Sequence, residues 1–245
     1  GRGMTVGKLI ARGLRDRGVH AFMIHLPFYG QRRIGRDRPE DHDFGELMIQ
    51  GIADVRRARD VVVQLACVQQ DHISLQGTSL GGFVCATAAG MDAAFEDVFV
   101  LLAGGDLTKV VTGGQREAAQ LKNQLAERGY SGQKLHELLY RVEPNRLAHR
   151  LDAKHLWLYS ALYDTTVPPE HSDSLAAAAG LPEHHHTRMP ATHYSGVVFL
   201  PMILDDIAVK AGGHRFVVSG SNSAPAAQTR TGAATTESRK DVPEP

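Results

Sequence analysis

Long apolar runs, an excess of either charge and a supply of cysteine are all missing from this chain. No run approaches the roughly 20 apolar residues that a bilayer-spanning helix needs, so no membrane span is expected. Lys plus Arg number 27 and Asp plus Glu number 27. The resulting net charge of zero creates no long-range field to hold phosphate, so a dedicated nucleic-acid binder is not expected. The two cysteines, Cys67 and Cys85, each sit inside an apolar helical pattern, where a small buried hydrophobe is the ordinary role. Nothing in that usage demands an oxidising compartment, and a cytoplasmic location is the expectation. Hydrophobic residues are still 42% of the 245, enough for a core, and the length favours one domain.

The ends differ from the middle. Ser219 to Pro245 contains no aromatic residue, and its one aliphatic residue larger than alanine is Val242. Such a segment cannot bury enough surface to offset its ordering entropy, so residues 219–245 read as a disordered tail and 1–218 as the domain. At the other end Gly1-Arg2-Gly3 precedes the first methionine and runs at once into a helical pattern, Val6, Leu9, Ile10 and Leu14. This reads as a chain entered part-way through a longer protein.

Between the ends, strand-like and helix-like patterns alternate. Val19 to Leu26 is a short, mostly apolar run suited to a buried parallel strand. Helical periodicity follows from Phe44 to Leu65. Further strands are expected at His72–Gln76, Asp97–Ala103, His155–Ser160 and, more weakly, His185–Met189. A small-residue helix covers Phe83 to Gly90, and a last helix covers about Gly196 to Lys210, with Pro201 as a possible kink. This order reads as α/β with a mostly parallel sheet flanked by helices. Residues 106–150 break the rhythm with about two helices, Gln115–Arg128 and Lys134–Tyr140, and read as a helical cap over the strand ends. Tyr130, Leu138, Leu139 and Tyr140 are read as core of that cap, not as substrate contacts.

Gly77-Thr78-Ser79-Leu80-Gly81 matches G-x-S-x-G, with a strand just before it and a helix just after. Such a turn strains the serine and lifts its Oγ above the sheet, and glycine on either side leaves room for neighbouring backbone. The next N–H, on Leu80, then lies at a helix N-terminus, where it can donate to a developing oxyanion. A serine hydroxyl is a weak nucleophile and needs a base and a group to orient that base. Asp164 and His193 follow at later strand ends in the order Ser, Asp, His.

Some alternatives stay open at this stage. Asp164 could begin a turn before Pro168 and Pro169, and Asp106 is a rival acid. The adjacent His184, His185 and His186 compete with His193 and invite a metal reading. On a strand they alternate faces and lack a carboxylate or cysteine cluster, so a solvated edge or loop is the expectation and no metal is assigned. Arg32 and Arg33 could meet an anionic substrate, but pairing with Asp37, Glu40, Asp41 or Asp43 is the expected arrangement.

The elbow GTSLGG, the YDTTVPP segment and the late THYSG histidine resemble the α/β-hydrolase superfamily over roughly Thr5 to Lys210. The spacing, including LPFYGQRR, is similar to serine esterases and to the dienelactone-hydrolase and prolyl-oligopeptidase branches. The resemblance implies that Ser79 is the nucleophile, His193 the general base and later acid, and Asp164 the carboxylate that sets the imidazole tautomer. Leu80 would supply one oxyanion-hole N–H. The implied reaction cleaves a small-molecule carboxylic ester through an acyl-serine, with no metal or organic cofactor. A peptide or thioester bond is the first alternative, and a non-catalytic binding protein that keeps the triad residues is the second.

The chain departs from that family at its start. Val19–Leu26 aligns with the family's fourth strand, so the first three strands and the loop bearing the second oxyanion donor are absent. In the family order the third strand lies between the fourth and fifth. Its loss would leave unpaired backbone groups, each costing about 1–3 kcal/mol if buried unsatisfied. Two outcomes are expected: a longer natural protein, or direct pairing of the strands on either side of the Phe44–Leu65 helix.

Overall fold

The strands form where short apolar runs meet small residues. In a computed structural model that describes residues 3–36 and 38–212, they are β1 (Leu75–Thr78), β2 (Val98–Leu101), β3 (Leu156–Ala161) and β4 (His186–Met189). All four are parallel and lie in the order β1-β2-β3-β4. Successive strands run the same way because each link crosses back through helix, and with the strands in sequence order these right-handed crossovers put all the linking helices on one face of the sheet.

Alternation along the strands divides the core in two. Leu75, Val98, Val100, Leu156 and Leu158 face one way, onto α2 (Phe44–Val62) and α3 (Leu80–Met91). Phe99, Leu101, Tyr159 and Met189 face the other, onto α1 (Gly3–Arg15) and α8 (Leu200–Lys210). Ile10 and Leu14 of α1 are buried against α8, and Arg17 closes that contact with a 2.9 Å bond to Asp205. The start of α2 is capped by Asp43, whose carboxylate accepts the Glu46 N–H at 2.9 Å and stabilises the helix by about 1 kcal/mol.

Between β2 and β3 lie α4 (Leu107–Gly113), α5 (Glu117–Glu127) and α6 (Gly132–Tyr140), with no strand among them. The periodicity predicted two of these helices and missed α4. Leu138 and Leu139 are buried, as expected for core. The Tyr130 hydroxyl reaches Asp43 at 3.0 Å, and Tyr140 is exposed with the Arg146 guanidinium over its ring. The helix α7 (Pro169–Ala178) follows β3.

Several expectations require correction. Val19–Leu26 forms no strand, and among the described residues β1 pairs only with β2. The segment has no partner strand beside it, and Phe22, Met23 and Ile24 stay over a third exposed along a cleft that also touches Leu75 and Gln76. Direct pairing across this gap therefore does not occur. The helix α2 ends at Val62, so Leu65 and Cys67 lie in exposed turns, and only Cys85 has the buried place expected of both cysteines. Burial pushes the Cys85 thiol far up from its ordinary value. Pro201 stands in the first turn of α8, where its missing N–H costs nothing, and a short 3-10 turn, Ser195–Phe199, precedes it, so it kinks no helix. The tail expected from Ser219 lies outside the described residues. No described helix is long and apolar enough to cross a membrane.

Candidate active site

Ser79 sits between β1 and α3 with φ 53° and ψ −121°, a conformation that L residues rarely adopt. It is held from three sides. Its N–H donates to the Leu101 carbonyl at 2.8 Å, and its carbonyl accepts from Gly82 at 2.8 Å and Phe83 at 3.2 Å. The turn needs Gly77, because a Cβ there would lie 2.0 Å from the Gly81 carbonyl oxygen and 2.6 Å from Cys85 Cβ. The second glycine of the motif has a different role from the expected one. A Cβ on Gly81 would meet open space, whereas on Gly82 it would come within 2.5 Å of Ala103 Cβ. Close packing of the helix thus falls to Gly82, which the five-residue pattern does not include.

His193 follows β4, and Asp164 follows β3. The His193 Nε2 lies 3.0 Å from Ser79 Oγ, and its Nδ1 lies 2.6 Å from Asp164 Oδ2. With a carboxylate on Nδ1 the ring keeps its proton there and presents the Nε2 lone pair to the serine hydroxyl. Asp164 is buried, and its other oxygen accepts the N–H groups of Thr166 at 2.8 Å and Val167 at 2.9 Å. The turn before Pro168 is therefore real, and the same carboxylate serves both the turn and the histidine. Leu80 is the first residue of α3, and its N–H has no acceptor among the described residues, as helix geometry dictates at that position.

The rival residues lie elsewhere. Asp106 begins α4, and its carboxylate accepts from Ser174 and Lys109, each at 3.1 Å. Burial works to raise its pKa, and those two bonds together with the charges of Lys109 and His171 outweigh burial and leave it below the ordinary range. The histidine triplet is no solvated edge, because only His184 is exposed. His185 stacks on Trp157 at 3.7 Å with Nδ1 against the Ala153 and Leu156 carbonyls, and His186 is buried with Nε2 on Ser160 Oγ at 2.8 Å. Arg32 pairs with Asp54 of α2, a carboxylate outside the expected set, and Arg33 donates to the Arg36 carbonyl at 3.1 Å.

A cleft of about 1630 Å³ opens over Ser79 and His193. Leu107, Val110, Leu121 and Leu125 line one wall, and it continues past the free edge of β1. Three residues at its mouth carry no sequence signal. Tyr194 stands edge-on to His193, donates its hydroxyl to Glu117 and lies beneath the Arg116 guanidinium. Burial acts to raise the Glu117 carboxyl, and the Tyr194 bond together with the charges of His193 and Arg116 brings it below its usual range.

No family model matches the chain, and no curated protein matches its sequence. Solved structures do match in fold. TT1662 from Thermus thermophilus aligns over 84% of this chain and 83% of its own, at 14% identity and a TM-score of 0.60. An acylaminoacyl peptidase of Pyrococcus horikoshii aligns over 70% of this chain and 29% of its own, at 12% identity and a TM-score of 0.56. An acetyl xylan esterase from Paenibacillus sp. R4 aligns over 66% of this chain and 53% of its own, at 18% identity and a TM-score of 0.53. The chain thus has the α/β-hydrolase fold. It spans about half the length of the acetyl xylan esterase and about a quarter of a Mycobacterium tuberculosis puromycin-hydrolyzing peptidase.

Proposed function

We propose that this chain is a serine hydrolase that cleaves a small-molecule carboxylic ester. Ser79 is the nucleophile, His193 the base and later acid, Asp164 the orienting carboxylate, and the Leu80 N–H an oxyanion donor. The observation that carries the reading is the relay from Asp164 through His193 to Ser79, with contacts of 2.6 Å and 3.0 Å, under an apolar cleft.

The chemistry follows from that order. His193 Nε2 takes the Ser79 proton as Oγ attacks the ester carbonyl, and the tetrahedral oxyanion meets the Leu80 N–H. His193 then hands the proton to the departing alcohol oxygen. A water deprotonated by the same nitrogen attacks the acyl-serine, the acid leaves, and Oγ regains its proton. Asp164 stabilises the imidazolium throughout without taking a proton itself. Helices α4 to α6 act as a cap, and α4 and α5 supply its apolar wall over the cleft. An amide bond is the second reading, favoured by the peptidases among the fold matches.

The test is a fluorescent fluorophosphonate applied to the chain and to its Ser79→Ala and His193→Ala variants, followed by an ester and an amide of one acyl group. Labelling that requires both residues, with ester turnover above amide turnover, is the expected result. A folded chain that takes no label would sink the hydrolase reading in favour of a binding protein.

A further inference from the structure

Arg116 has a backbone that its side chain does not ask for. At φ 54° and ψ −115° it nearly repeats the conformation of Ser79, although it is neither glycine nor part of the triad. Such strain persists only where the surroundings over-determine it. Here the turn before it is clamped to the loop that carries Asp164. The Gln115 N–H donates to the Thr165 carbonyl at 2.7 Å, and Gly114 packs so closely that an added Cβ would lie 2.5 Å from the Thr166 carbonyl oxygen. This clamp holds the guanidinium 5.3 Å from the centre of the Tyr194 ring, which itself lies 5.5 Å from the His193 ring.

The polar groups at this mouth are unequally used. Glu117 already accepts the Tyr194 hydroxyl. The Arg116 guanidinium lines the cleft, is exposed and makes no hydrogen bond or ion pair to another described residue, so its five N–H donors are open to a ligand. A planar fork of donors without an acceptor matches a carboxylate, which it can take in two parallel bonds. Its side of the site is also defined. In the proposed reaction His193 delivers its proton to the departing alcohol oxygen, so the group that lies past His193 belongs to the alcohol.

We infer that Arg116 selects esters whose leaving alcohol carries a carboxylate. This rests on the serine-hydrolase reading above and adds the substrate class to it. Two acetyl esters test it: 4-acetoxybenzoate, whose alcohol is anionic, and its neutral methyl ester, methyl 4-acetoxybenzoate. Acetate release is measured for both with the unaltered chain and with R116Q, R116K and R116E. Comparing the ratio of the two kcat/KM values between variants cancels the intrinsic difference in leaving-group reactivity. The ratio is expected to fall about tenfold in R116Q, to fall further in R116E, to be partly kept in R116K, and to shrink as salt rises. The residue is exposed and the strained backbone is the same for any of these side chains, so the fold is retained.

A second pair, 4-nitrophenyl hydrogen succinate against 4-nitrophenyl butyrate, puts the charge on the acyl side. An Arg116-dependent preference confined to that pair would overturn the assignment to the alcohol. A ratio that R116Q leaves unmoved while Ser79-dependent hydrolysis persists would overturn the arginine's role alone. Absence of Ser79-dependent hydrolysis of every ester would overturn both readings.

Discussion

Ser160 Oγ lies 2.8 Å from His186 Nε2, a shorter contact than the 3.0 Å between Ser79 and His193. Asp173 of α7 stands 3.6 Å from the far nitrogen of that histidine, so a second Ser, His and Asp set lies where β3 and β4 meet that helix. What separates the two is access. The side chain of His186 is 1% exposed and Ser160 is 2% exposed, and neither lines the cleft over Ser79. The expected outcome is that a fluorophosphonate modifies the peptide containing Ser79 and leaves the peptide containing Ser160 untouched, as read by mass spectrometry. Modification of Ser160 in the folded chain would contradict this.

The buried histidines also set a pH dependence. Burial lowers His186 from its usual 6.5, with Arg188 adding to the effect and Asp173 and Glu183 opposing it, and burial likewise lowers His171. Both hold fewer protons folded than unfolded. Their contribution is therefore complete above about pH 6.5 and is lost as pH falls toward the depressed folded values. Urea midpoints are expected to drop between pH 7.5 and 5.5, with one such group adding at most about 1.4 kcal/mol per pH unit. His186→Asn should make that slope shallower whatever it does to stability at pH 7.5.

Asp164→Asn tests the orienting carboxylate. The Thr166 and Val167 N–H groups need an oxygen acceptor, which turns the amide nitrogen toward His193. The imidazole then takes the wrong tautomer, and kcat should fall about 10⁴-fold with the thermal midpoint close to the parent's. Retention of more than a tenth of the activity would remove Asp164 from its role.

The three glycines of the elbow should separate cleanly in denaturation experiments. Gly77→Ala meets the Gly81 carbonyl at 2.0 Å and should cost more than about 3 kcal/mol. Gly82→Ala meets Ala103 and should cost about 1–3 kcal/mol. Gly81→Ala has open space and should gain up to about 1 kcal/mol from helix propensity. Equal losses at Gly81 and Gly82 would show that the close approach has been assigned to the wrong residue.

Local chemistry explains why some of this was legible in the sequence. Ser79 announced itself because a strand, a glycine turn and a helix are consecutive in the chain, and Asp164 and His193 each follow a recognisable strand. Val19–Leu26 misled because an apolar run records only its own composition, whereas a strand also requires a partner edge. Leu65 and Cys67 extended a periodic pattern past Val62, where the helix had already ended. His185 and His186 read as solvated because their burial depends on Trp157 and Ser160 from the neighbouring strand. Arg116 carried no signal at all, since nothing in a residue's type marks a positive φ.

The bond from Gln115 to the Thr165 carbonyl has a consequence for how molecules enter. If the α4–α5 turn swung aside it would break this bond or pull on the loop that carries Asp164, which in the proposed mechanism would disturb the relay to Ser79. In the proposed reaction, passage through the part of the cleft lined by Phe22, Met23 and Leu75 would leave that bond intact and proton transfer undisturbed.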